Sequence, residues 1–212
     1  WLDPVSAAEV PNLKHIDPRW WGKGEIARYG VPYFWGTVGI GYRKDLVREP
    51  VTSWRALFQP AAALRGRIAM INDVRDTIGM ALKALGHSLN NNDPKVLAQV
   101  ERLLVAQRPF VKTYSYVSLG EDSALLTGEV WMAMMYSGDA LMLRERNPNI
   151  AFVVPAEGSN LWVDHLAVLR NAPNKVLARQ FIDFLNEPRN AARLAQYVHY
   201  ATPNLSAKKL LP

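Results

Sequence analysis

Short apolar runs of strand length alternate with stretches of helical period along almost the whole chain, which predicts an α/β protein with a mostly parallel sheet. Turn residues mark most of the boundaries between these runs. Acidic and aromatic residues gather just past the ends of three apolar runs, where open α/β sheets collect ligands. Together these three observations set the class and point to where chemistry should be sought.

The elements follow in order. Trp1–Arg28 reads as irregular, because Pro4, Pro11, Asp17-Pro18 and Gly22-Lys23-Gly24 break any period. Val31–Trp35 and Val38–Arg43 read as two short strands around Gly36-Thr37. Trp54–Phe58 is a short helix stopped by Pro60. Arg67–Ile71 is a buried strand, followed at Asn72 by a turn and a helix over Thr77–Leu85. Asp93-Pro94 is a strong helix start, with Asp as N-cap and Pro in the first helical position. That helix carries Leu97, Val100, Leu103 and Leu104 on one stripe and ends before Pro109. Val111–Tyr116 is a strand. Val130–Met135 is a continuous apolar run, too short for a globular helix and suited to a buried strand. After Tyr136, Ser137-Gly138-Asp139 turns the chain into a helix reaching Asn147. Phe152–Val154 is a strand closed by Pro155, Gly158 and Ser159, and another runs from Trp162 through Leu169. Lys175–Asn186 is a helix with Ala178, Phe181, Ile182 and Leu185 facing inward, and Pro188–Val198 follows it at once.

Composition narrows the function. With 49% hydrophobic and 21% charged residues the chain is ordinary for a globular protein, and no apolar run reaches the ~18–20 residues of a membrane span. No basic start leads into an apolar stretch, so a signal peptide is expected to lie outside this chain. The absence of Cys excludes disulfides and thiol catalysis, and it fits an exported bacterial protein. The net charge of +6 invites a nucleic-acid reading, but Arg43, Lys44, Arg48, Arg65, Arg67, Arg144, Arg146, Lys208 and Lys209 are scattered. No nucleic-acid partner is expected.

Two kinds of side chain stand out at the strand ends. Asp73 and Asp76 read as the cap and first turn of a helix, a structural role that also keeps both carboxylates ionised and ready for a cation. Tyr136 with Asp139, and Trp162 with Asp164, each offer a ring beside an acid, and residues two apart on a strand share a face. Each pair also has a packing or capping explanation; three strand ends delivering acids together favour an organic-cation site. Catalytic patterns are absent. Met135 stands where a nucleophile elbow needs Gly, and His15, His87, His165 and His199 lack metalloprotease spacing. Gly36, Gly39 and Gly41 do not form a dinucleotide fingerprint. Asp139 and Asp164 as a glycosidase pair would need a separation that sequence does not give. No catalytic residue, metal ligand or cofactor is expected.

The segments VPYFWGTVGIGYRKD, SWRALF, RGRIAMINDVRDTIGMALKALGHSLNNNDP, GEVWMAMMYSGDA, NPNIAFVVPAEGSNLWVDHLAV and HYATPN occur in order. In this they resemble the periplasmic spermidine/putrescine-binding proteins of ABC transporters. The resemblance implies an α/β periplasmic-binding-protein type II fold, a two-lobed venus flytrap that clamps a linear polyamine in its cleft. It implies ligand contacts from Asp73, Asp76, Tyr136, Asp139, Trp162, Asp164 and Tyr200. Asp76 departs from the Glu common in that family, and Tyr136 stands where Trp is frequent. It implies residues 1–36 as part of the first lobe and the crossover, 37–161 as a nearly complete second lobe, and 162–212 as the returning part of a first lobe truncated at the N-terminus. The expected location is the periplasm and the expected partner a membrane permease. Three alternatives accompany it: a sensor domain of a membrane-bound signalling protein, a truncated paralogue that no longer binds ligand, and a homodimer in which two copies complete the missing lobe.

Overall fold

The structure, a computed structural model, describes residues 1–21 and 24–212; Gly22 and Lys23, part of the predicted irregular opening, lie outside the described residues. The chain divides into two compact units, Trp1–Gly36 with Trp162–Pro212, and Thr37–Leu161. In chain order the elements are β1 (Leu2–Asp3), α1 (Ile26–Tyr29), β2 (Val31–Arg43), α2 (Arg55–Phe58), β3 (Ile68–Met70), α3 (Val74–Ala84) and α4 (Pro94–Gln107). There follow β4 (Val111–Tyr114), α5 (Ala124–Thr127), β5 (Met132–Tyr136), α6 (Ser137–Arg146) and β6 (Ile150–Val153). The chain ends with β7 (Leu161–Leu166), β8 (Val168–Leu169), α7 (Lys175–Asn186), α8 (Pro188–Val198) and α9 (Leu205–Lys208). The two strands expected around Gly36-Thr37 are thus one continuous strand.

The Thr37–Leu161 unit is built on a sheet of order β4-β3-β5-β2-β6. β3 runs parallel to β4 and β5, whereas β2 runs antiparallel to β5 and β6. The sheet is therefore mixed, not mostly parallel. The crossover β5-α6-β6 skips one position, and β2 fills the gap in the opposite sense. Alternation of elements along a sequence reveals crossovers but not a strand inserted between their ends. Gly39 on β2 has a specific reason: a Cβ there would strike the Phe152 ring and the Val153 carbonyl. Ile40, Ile68, Met70 and Met134 are fully buried in the sheet, and Trp54, Leu57 and Phe58 are buried with them. α4 buries Val96, Val100, Leu103 and Gln107, while Leu97 is 36% exposed, so the inward stripe is turned by about one residue from the predicted one. Gln107 explains the shift, since its amide donates to the Leu57 carbonyl at 2.8 Å.

In the unit formed by the chain's two ends, β1 pairs antiparallel with β8, matching Leu2 with Leu169 and Asp3 with Val168. Single bridges join Ile16 to Asn204 and Trp35 to Ala201. The opening holds little regular structure, as expected, and it is ordered by long-range contacts. Val10, Leu13 and Ile16 are buried against Val31, Val168 and Ile182, and Asn12 bonds Asp183 through its backbone N–H at 2.7 Å and its amide at 2.9 Å. Arg179 and Lys175 on α7 pair with Asp3. These anchors lie far apart in sequence, where local breakers such as Pro11 and Pro18 give no hint of them. α7 buries Ile182, but Phe181 is 58% exposed and lies on an outward stripe with Leu177 and Phe184. The helix carries more apolar surface than one packed face can cover.

Candidate functional site

In the Thr37–Leu161 unit, β3 and β5 are parallel, so their carboxyl ends point the same way. Just past β3, Asp73 is the N-cap of α3, its carboxylate accepting from the Asp76 N–H at 2.8 Å. Asp76 sits in the first turn, where the helix dipole favours a carboxylate. At the end of β5, Tyr136 is in register with Val38 of β2. The Val38 N–H in turn donates to the Asn160 carbonyl at 3.2 Å, which brings residue 160 to the same strand end.

Three side chains meet there. Tyr136 OH donates to Asp76 Oδ2 at 3.1 Å, and Asn160 Nδ2 donates to Asp76 Oδ1 at 2.7 Å. Burial, with the Asp76 carboxylate beside it, pushes the Tyr136 hydroxyl well above its ordinary pKa, so the phenol keeps its proton. Tyr116, 55% exposed, stacks on Tyr136 with ring centroids 6.2 Å apart. Asp139 lies partly exposed in the first turn of α6, directly after Tyr136. The result is a pair of rings beside a set of acids. Asp73, Asp76, Tyr136 and Asp139 thus fall at adjoining strand and helix ends, and the Asp73–Asp76–Tyr136 contacts are direct.

In the other unit, Trp162 and Asp164 lie two apart on β7. Trp162 meets Tyr200 edge to face at 5.0 Å. Tyr200 follows His199, whose left-handed backbone (φ 57°) ends α8 and redirects the chain. Ala201 then bridges Trp35, which stacks on Trp20 at 4.6 Å. Asp164 is exposed, and among the described residues it forms no ion pair. A structural role for Asp164 through an ion pair, with the neighbouring His165 or Arg170 for example, thus has no support among the described residues. Trp162 and Tyr200 come together as a ring wall, with Asp164 on the same strand.

Sequence reasoning missed Asn160, Tyr116, Trp20 and Trp35. Asn160 carries no pattern of its own, since its partner Asp76 lies 84 positions away. Tyr116 was legible only as a strand residue. A separate cleft of about 550 Å³, lined by Leu46, Val47, Val51, Leu64 and Trp131 among others, contains none of the acid and ring residues above. Its walls are mainly aliphatic, and Arg48 and Arg55 outnumber its one acid, Glu49, so it is poorly suited to an organic cation. Among the described residues, no cluster of His, Cys, Asp or Glu is arranged to hold a metal ion, and no helix is long and apolar enough to cross a membrane.

Comparison with known proteins adds the following. The profile of bacterial extracellular solute-binding proteins matches residues 2–210. The chain is 40% identical to a norspermidine sensor of Vibrio cholerae, covering 96% of this chain and 56% of that protein. It is 34% identical to the spermidine/putrescine-binding periplasmic protein of Escherichia coli, covering 99% of this chain and 60% of the relative. Among solved structures, a putative spermidine/putrescine ABC transporter from Listeria monocytogenes superposes with TM-score 0.88 at 36% identity, covering all of this chain and 65% of that one. The spermidine/putrescine substrate-binding protein of Streptococcus pneumoniae gives 0.84 at 33% identity, with the same coverage. The chain thus spans 56–60% of the length of these two sequence relatives.

Proposed function

The chain belongs to the bacterial extracellular solute-binding proteins, and on that premise we propose that it binds polyamines outside the cytoplasm as the solute-binding component of an ABC transporter, without catalysis. The observation that carries the reading is the repeated pairing of ring and acid: Tyr116 and Tyr136 beside Asp73, Asp76 and Asp139, and Trp162 with Tyr200 beside Asp164. A polyamine needs both kinds of group. Each ammonium offers N–H donors that favour ionised carboxylates, while its methylenes and charge favour ring faces. In this reading Thr37–Leu161 corresponds to the second lobe of such a protein and the other unit to part of the first.

The net charge of +6 opposes a cation at long range. Screening over ~8 Å at physiological salt leaves the local acids dominant. Calorimetric titration with putrescine and spermidine, at low and physiological salt, tests the reading. Micromolar binding that survives added salt is expected. Absence of heat, or heat that vanishes with salt, overturns it for this chain.

A second reading is favoured by one observation: the relative with 40% identity is named a norspermidine sensor. In that case the ligand-loaded chain reports to a signalling protein in place of a permease. Stimulation of a reconstituted transporter's ATP hydrolysis by the loaded chain supports transport. A change in signalling output without it supports sensing.

A further inference from the structure

Asp76 is an acid already in use. It is 8% exposed, and both carboxylate oxygens accept a hydrogen bond, one from Asn160 and one from Tyr136. Neither donor is charged. The nearby Asp73 commits one oxygen to the Asp76 amide N–H. A phenol carries one proton and two acceptor lone pairs. With its proton directed to Asp76, the Tyr136 oxygen meets any further partner as an acceptor.

We propose that Asp76 and Asn160 are positioning residues that fix the Tyr136 hydroxyl as a hydrogen-bond acceptor, so that this site selects cations bearing an N–H over quaternary cations of equal charge. The inference rests on the polyamine reading above. An ammonium N–H donates to Tyr136 Oη, the phenol proton stays on the Asp76 side, and the negative charge of Asp76 strengthens the whole chain of bonds. A quaternary ammonium keeps its attraction to the Tyr116 and Tyr136 rings but brings no donor. Asn160 is placed for its task by backbone: its carbonyl takes the Val38 N–H, and Val38 is the strand partner of Tyr136. The side-chain amide then spans to Asp76 from a fixed base and keeps the carboxylate from turning toward solvent.

Calorimetric titration of the parent chain, Tyr136→Phe, Asn160→Leu and Asp76→Asn tests this, with putrescine and with its counterpart methylated at both nitrogens to quaternary ammonium. Thermal unfolding of each variant accompanies the titration. The parent is expected to prefer putrescine. Tyr136→Phe, which deletes a single oxygen, should weaken putrescine about tenfold while changing the quaternary cation little, since a hydrogen bond to a charged group is lost from one and not the other. Asn160→Leu and Asp76→Asn should shrink the preference in the same direction. A merely structural role would weaken both cations together, and an unchanged ratio in Tyr136→Phe overturns the inference while leaving polyamine binding intact. A parent that binds neither cation overturns the polyamine reading and this inference with it.

Discussion

On the polyamine reading, holding a cation is divided between Trp162, a ring packed against Tyr200, and Asp164, an exposed carboxylate two residues on. Removing either should cost more than one weak surface contact. Trp162→Ala and Asp164→Asn are each expected to reduce polyamine affinity about tenfold, equivalent to ~1.4 kcal/mol, read by calorimetry. Binding unchanged in both would remove that strand from the site. At this scale the sequence was informative wherever a residue's role followed from its neighbours. Asp73 reads as a cap because a helix follows it, and Trp162 and Asp164 read as face-sharing because a strand alternates. Asn160 and Tyr116 were silent, because their roles come from reaching partners that only the folded chain brings near.

Caps decide how firmly the elements beneath the site hold. Asp73 caps α3 and Asn174 caps α7, each accepting a backbone N–H from the first turn. Asn174→Ala should cost about 1 kcal/mol in urea unfolding and leave ligand affinity unchanged. Asp73→Ala should lose a similar amount of stability and also weaken binding, because the same carboxylate stands beside Asp76. Loss of stability in both without loss of binding in the second would leave Asp73 a cap alone. Most elements were legible from period and punctuation. α8, opened by Pro188, and α4, opened by Asp93-Pro94, begin where those residues predict. Strand direction was not legible, since β2 lies between the ends of a crossover that the sequence does reveal. Nor was the outward stripe of α7, because an apolar residue states that burial is favourable and not which surface will cover it.

For the molecule as a whole, acid is the natural probe. Hydrogen bonds from Arg179 and Lys175 hold the Asp3 carboxyl below its usual pKa of 3.8, and those from Arg19 do the same for Asp17. A carboxyl depressed in the folded state adds stability that is present above its unfolded pKa and is lost as pH falls through the lower folded value. The urea midpoint should therefore drop as pH is lowered below about 4, and Asp3→Asn should flatten part of that fall; an identical profile in the variant would show that Asp3 contributes nothing. The α/β class was legible from alternation, and the type II binding-protein fold from the resemblance of the ordered segments. The ordered opening was not. It depends on Asp183, Val168 and Asn204, more than 150 positions downstream.

That dependence reaches into how the protein is made. One unit is assembled from the chain's first and last stretches, and the other lies wholly between them. Any process that delivers the polypeptide from its N-terminus releases Thr37–Leu161 complete while Trp1–Gly36 still waits for its second half. At ~5–20 residues per second of synthesis the wait lasts roughly seconds. During it Val10, Leu13 and Ile16 have no Val168 or Ile182 to cover them. A stretch made before the middle unit is therefore sheltered only after it, and in that interval its bare apolar residues are what a chaperone would have to protect.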